Sequence, residues 1–241
     1  MKKMKVSIVA PAIAMFLMFF GMIGFAQANS GAMTKEKNVK ITPDQAIKML
    51  MEGNERFVNG KLTQRDWQAQ VKATAGGQFP YAAVVSCLDS RIPTEVVFDQ
   101  GIGDLFVGRV AGNFVNDDLL GSLEFAATGK SGDDWVGVKV IMVMGHTSCG
   151  AVKGAVAEAQ LGLLTSALAN INPAIKAAKD AGVSKDQGGK FVQAVSNHNV
   201  KLTMQKLRDR SLVLRGLIDD GKVKLVGAMY DLNTGKISLL D

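Results

Sequence analysis

The chain has 241 residues, 47% hydrophobic and 21% charged, an ordinary globular composition that excludes disordered and fibrous classes. Its formal charge of +6 does not point to nucleic acid, because Lys2, Lys3 and Lys5 stand together at the N-terminus. Removing those three from the 28 basic residues leaves 25 against 22 acidic ones, scattered and without interleaved aromatics.

In chain order, the first segment reads as an export signal. Three lysines precede an apolar run over 6–25, and Ala26-Gln27-Ala28 supplies the small-x-small pattern of a signal-peptidase site. Pro11 and that site favour cleavage, after Ala28, over an uncleaved anchor. The mature chain is therefore expected to be periplasmic or secreted, without stable membrane insertion. No cysteine lies near the cut, which excludes a lipid anchor there. Residues 29–40 (NSGAMTKEKNVK) are small and polar and predict a flexible linker, leaving one domain over 41–241.

That domain opens with a helix. Thr42 can cap it, Pro43 suits its first position and Gln45 can complete a capping box. Strands are predicted at 81–86 (YAAVVS), 105–107, 139–144 (KVIMVM) and 222–230 (KVKLVGAMY), with helices at 119–128, 151–171 and 185–207 between them. The alternation implies an α/β fold: a central, mostly parallel sheet flanked by helices, with an N-terminal helical arm.

The chain has two cysteines, Cys87 and Cys149. In an exported protein such a pair reads first as a structural disulfide. Their context points elsewhere. Cys87 directly follows one predicted strand, and Gly145-His146-Thr147-Ser148-Cys149-Gly150 follows another, so both lie where open α/β sheets place ligands. Two thiolates and the His146 imidazole are three zinc donors with a fourth position open, the arrangement of a catalytic rather than a structural zinc. In Cys87-Leu88-Asp89-Ser90-Arg91 the guanidinium can hold the carboxylate in a bidentate pair. A helix starting at or just after Cys149 would favour its thiolate. His198, flanked by asparagines on a predicted helix, reads as a surface or capping residue rather than a proton shuttle.

The succession CLDSR, GDLFVGRVAGNFV, EFA and GHTSCG, with GNERFVNGK before it and GAMYDLNTG after it, resembles the β-class carbonic anhydrases from about residue 42 to the C-terminus. The resemblance implies one Zn²⁺ per chain on Cys87, His146 and Cys149, with Asp89 and Arg91 as a catalytic dyad. It implies reversible hydration of carbon dioxide to bicarbonate and a proton, in a homodimer with its active sites at the interface; pairing of dimers into tetramers stays open. Gln78, nine residues before Cys87, matches a glutamine that approaches substrate across the dimer interface, and Phe106 an aromatic of the carbon dioxide pocket. Two positions depart from the family: Phe125 replaces a frequent tyrosine, and Ala111 stands where a pocket valine is common. Hydrolysis of carbonyl sulfide or carbon disulfide would use the same ligands. A silent zinc-binding protein would not need Asp89 and Arg91, and a disulfide-stabilised module would join Cys87 to Cys149.

Overall fold

The structure is a computed structural model and describes residues 31–240; the expected export signal lies outside the described residues. An N-terminal arm of α1 (Lys35–Asn38), α2 (Pro43–Val58) and α3 (Trp67–Thr74) leads into β1 (Ala82–Cys87). Then follow α4 (Thr94–Val97), β2 (Leu105–Val110), α5 (Asp117–Ala127) and a small hairpin, β3 (Lys130–Ser131) and β4 (Asp134–Trp135). β5 (Val140–His146) is succeeded by α6 (Gly150–Val156), α7 (Gly162–Ala169), α8 (Asn172–Asp180), α9 (Gly189–Arg210) and α10 (Leu212–Asp219). β6 (Lys224–Tyr230) and β7 (Ile237–Leu240) close the chain.

The main sheet runs in the order β2-β1-β5-β6-β7, parallel except for the antiparallel β7. Every residue of β1 and β5 is buried, as expected of strands covered on both faces. Their side chains alternate between two cores. Ala83, Val85, Ile141 and Val143 meet Leu120 and Leu123 of α5, Val200 and Leu207 of α9 and Leu214 of α10. Ala82, Val84, Val140 and Met142 meet Ala46 and Leu50 of α2 and Phe98 after α4. The expected mostly parallel, helix-flanked sheet is present.

The arm is fastened by local chemistry first and by distant contacts second. The Thr42 hydroxyl accepts from the Gln45 amide at 3.2 Å, and Gln45 Oε1 accepts from the Thr42 amide at 2.9 Å, closing the capping box. Buried Asn54 then donates to the Val97 and Gly235 carbonyls and accepts from the Ile237 amide at 2.8 Å. Asp99, whose side chain is fully buried, receives Arg56 Nε, Arg65 Nη1 and both the amide and hydroxyl of Thr63. Two arginines from the arm thus converge on one carboxylate beside α4.

Three local expectations are corrected. The stretch over 31–40 is packed rather than a loose linker: 35–38 are helical, and the buried Asn38 donates to the Phe79 and Pro80 carbonyls. Its polar composition conceals this because the anchoring partners lie about 40 residues away. The single helix expected over 151–171 is two, since Glu158 takes left-handed backbone (φ 56°) after α6 and Gly162 (φ 44°) opens α7 with a second such turn. Alanine propensity carries no information about those two dihedrals. The helix expected over 185–207 begins as a short 3₁₀ turn and becomes α9 only at Gly189. Among the described residues no helix is long and apolar enough to cross a membrane.

Candidate metal centre

Neighbouring parallel strands β1 and β5 terminate on the same edge, Cys87 closing one and His146 the other. Ser148, in left-handed backbone (φ 54°), turns the chain so that Cys149 becomes the N-cap of α6. The three donor atoms lie within 4.8 Å of one another, with the two sulfurs 3.9 Å apart. Cys87, Cys149 and His146 are 4%, 1% and 0% exposed, and both thiols are free.

The histidine orientation decides what this cluster can hold. His146 Nδ1 lies 3.0 Å from the Thr147 carbonyl and donates to it, which leaves the lone pair on Nε2. Nε2 is buried and has no hydrogen-bond partner among the described residues. A buried polar atom is ordinarily paired, so this orphan beside two sulfurs fits a metal ion, and the soft donor set fits zinc.

Charge around the cluster supports that fit. Hydrogen bonding from the Cys149 thiol, opposed by burial and aided by His146 and the Gly112 amide, lowers the Cys87 thiol well below its ordinary value. The same pairing and burial push Cys149 up. The start of α6 acts on Cys149 in the expected direction, through the Ala151 and Val152 amides, but the neighbouring Cys87 outweighs them.

Asp89 Oδ2 stands 3.9 Å from His146 Nε2. Arg91 grips both of its oxygens, Nε to Oδ1 at 2.9 Å and Nη2 to Oδ2 at 2.7 Å, and its amide adds a third bond at 3.0 Å. Those bonds hold the Asp89 carboxyl well below the usual carboxylate range. Arg109, to which sequence reasoning assigned no role, donates to the carbonyls of Cys87 (3.0 Å) and Asp89 (2.5 Å), pinning the loop that carries the dyad. The Gly112 amide donates to Cys87 Sγ at 3.3 Å. Its φ of 91° favours glycine, and a Cβ there would also meet the tip of Ile171 at 2.8 Å and displace it.

Ala111 lies in the same turn, next to Gly112. The structure does not bring the other expected pocket residues to the cluster. Phe106 pairs in register with Ala83, four residues before Val110, which pairs with Cys87, and its ring meets exposed Phe125 edge-on at 6.2 Å. Exposed Gln78 precedes β1 and so lies beyond the end opposite Cys87, and six strand residues span about 20 Å. His198 lines a groove with Leu239 and Leu240 of β7, away from the donors.

The family model described as carbonic anhydrase matches residues 82–237. The chain belongs to the β-carbonic anhydrase family. It is 35% identical over 205 residues to carbonic anhydrase 2 of Mycobacterium tuberculosis, covering 83% of this chain and 93% of that protein. To the carbonic anhydrase of Mycolicibacterium smegmatis it is 34% identical, covering 82% and 93%. Among solved structures, the β-carbonic anhydrase CafA of Aspergillus fumigatus matches with a TM-score of 0.61 at 28% identity, over 71% of this chain and 80% of that one. The β-carbonic anhydrase CcaA shares the fold, with a TM-score of 0.64 at 22% identity over 81% and 87%.

Proposed function

We propose that this β-carbonic anhydrase hydrates carbon dioxide reversibly with one Zn²⁺ per chain, held by Cys87, His146 and Cys149. The observation that carries the reading is the orphaned, buried His146 Nε2 facing two free thiols. A zinc ion held there supplies Lewis acidity that brings the ionisation of water toward about pH 7.

The chain's own groups do the rest. Asp89 Oδ2, 3.9 Å from His146 Nε2, is placed to accept the O–H of the reacting water and so aim the oxygen lone pair at carbon dioxide. Arg91 keeps Asp89 ionised and fixes its plane, so the carboxylate orients and does not store the proton, which passes to solvent. Arg109 holds the backbone beneath the dyad. Apolar surface for the substrate comes from Ala111 and, across a subunit interface, from Phe106.

Position supports that interface. β2 is one of the sheet's two edge strands, its residues are mostly half-buried, and Phe125 beside it is 67% exposed. An open edge of this kind is a template for strand pairing. Antiparallel pairing of two β2 edges in a homodimer would carry Phe106 and Gln78 of one chain toward the strand ends of the other. Export of the mature enzyme to the periplasm or beyond is proposed from residues 1–28 alone.

Purified enzyme should contain one zinc per chain and acidify carbon dioxide solutions in a pH-indicator assay. Asp89→Asn should keep the zinc and lose roughly 10²-fold in kcat/KM, the scale of lost orientation. Zinc without hydration in the unmodified chain would overturn the reading. The shared site is tested by mixing subunits. Chains carrying Gln78→Ala and chains carrying Cys149→Ser should each be impaired, yet their mixed dimer should recover one complete site. No recovery in isolated mixed dimers would place Gln78 outside the partner's site.

A further inference from the structure

Asn199 is a carboxamide on the buried face of α9, 3% exposed, among Val195, Val200 and Thr203. Such a group must be paired, and its partner is distant. Nδ2 donates at 2.7 Å to the carbonyl of Gly112, 87 residues earlier in the chain. Gly112 is the residue whose amide donates to Cys87 Sγ. The turn takes left-handed backbone at Gly112 and Asn113, with φ of 91° and 43°, a conformation that glycine and asparagine accept more readily than other residues. The Asn199 bond grips the turn at the Gly112 carbonyl, while the amide of the same residue faces Cys87 Sγ.

We propose that Asn199 is a positioning residue of the metal centre: it holds the 111–113 turn so that the Gly112 amide is aimed at Cys87 Sγ. That amide favours the thiolate over the thiol and fixes the position of the sulfur, so its placement sets how well Cys87 is presented to the metal. A turn free to drift leaves the ligand less preorganised and weakens binding. Asn199 touches neither the donors nor the substrate and acts only through Gly112. The inference rests on the reading of Cys87, His146 and Cys149 as zinc ligands.

The test compares three proteins by zinc affinity, measured by competition with a chromophoric chelator, and by the thiolate-to-metal charge-transfer band after Co²⁺ replaces zinc. Asn199→Ala should weaken zinc binding about 10- to 100-fold, the usual range for loss of an outer partner, and shift the band. Leu207→Ala, at a buried position further along α9, controls for general loosening of the helix. It should lower thermal stability but leave the band unmoved. Should Asn199→Ala not fold, Asn199→Ser replaces it: a serine hydroxyl satisfies itself on its own helix and is too short to grip the turn. An unchanged band and affinity in a folded Asn199 variant overturns the proposal. So does an equal shift in Leu207→Ala, since that assigns the effect to stability alone. If the unmodified chain binds neither Zn²⁺ nor Co²⁺, the ligand assignment itself has failed, a different result from either.

Discussion

Cys149→Ser is expected to lose stoichiometric zinc and carbon dioxide hydration together while remaining folded. The hydroxyl that replaces the thiol ionises far above neutral pH, so the cluster loses one of its two anionic, soft donors. The remaining pair, Cys87 and His146, cannot close a three-donor set. Folding should survive because Cys149 occupies the N-cap of α6, a position at which serine is among the preferred residues. The expected fall in kcat/KM is at least about 10³-fold, or about 4 kcal/mol of barrier. Thermal stability should be compared with metal-stripped enzyme, since a metal that binds only the folded state adds stability of its own. A serine variant that still carries one zinc and still hydrates carbon dioxide would remove Cys149 from the ligand set.

Asp99→Asn is expected to give a large loss of stability, through a residue that is no part of the metal cluster. The Asp99 carboxylate is fully buried and is the common partner of Arg56, Arg65 and Thr63. Asparagine keeps the shape and tolerates the left-handed backbone (φ 49°), so the substitution removes the charge and little else. Breaking a buried ion pair costs about 3–5 kcal/mol. The low end applies here, because Arg56 keeps 39% of its side-chain exposure and can return to water. About 3 kcal/mol in a domain of this size lowers Tm by roughly 6–12 °C.

The same carboxylate links stability to pH. Burial raises the Asp99 pKa, but hydrogen bonds from Arg65, Arg56 and Thr63 outweigh it and leave the group below its ordinary value. A depressed folded-state pKa means a contribution that is complete above the unfolded value, about 3.9, and is lost as pH falls through the folded value. Resistance to urea should therefore fall on acidification below about pH 4. The slope should flatten in Asp99→Asn; an identical slope in both proteins would dissociate Asp99 from the acid limb.

The elements that were legible share one property: their signal is contained within themselves. The runs at 81–86 and 139–144 could be read as strands because a strand buried on both faces is apolar throughout, and β1 and β5 are. The start of α2 was legible because Thr42, Pro43 and Gln45 cap locally. What was missed depends on distant partners. Residues 35–38 look like solvent-facing linker until Asn38 meets the Phe79 and Pro80 carbonyls. The break between α6 and α7 turns on the backbone of Glu158 and Gly162, to which alanine content is blind. β7, a short antiparallel edge strand against β6, has too few residues to show a period. Asn199 could have been noticed as a polar residue on the apolar stripe of α9, but its partner could not.

By itself the sequence determined the chemistry of the centre, because donor type belongs to a residue: two soft sulfurs and an imidazole beside strand ends, with a carboxylate and a guanidinium two residues apart. Only the tertiary structure decided the geometry, because distance belongs to packing. Adjacent parallel strands bring residues 87 and 146 together, and Ser148 turns Cys149 to face them. Arg109, Gly112 and Asn199 arrive from β2, its following turn and α9 to hold the loop and tune a sulfur. The same packing sets Gln78 beyond the far end of β1 from the donors. One chain therefore carries the three candidate donors and the Asp89–Arg91 pair, while Phe106 and Gln78 lie away from them.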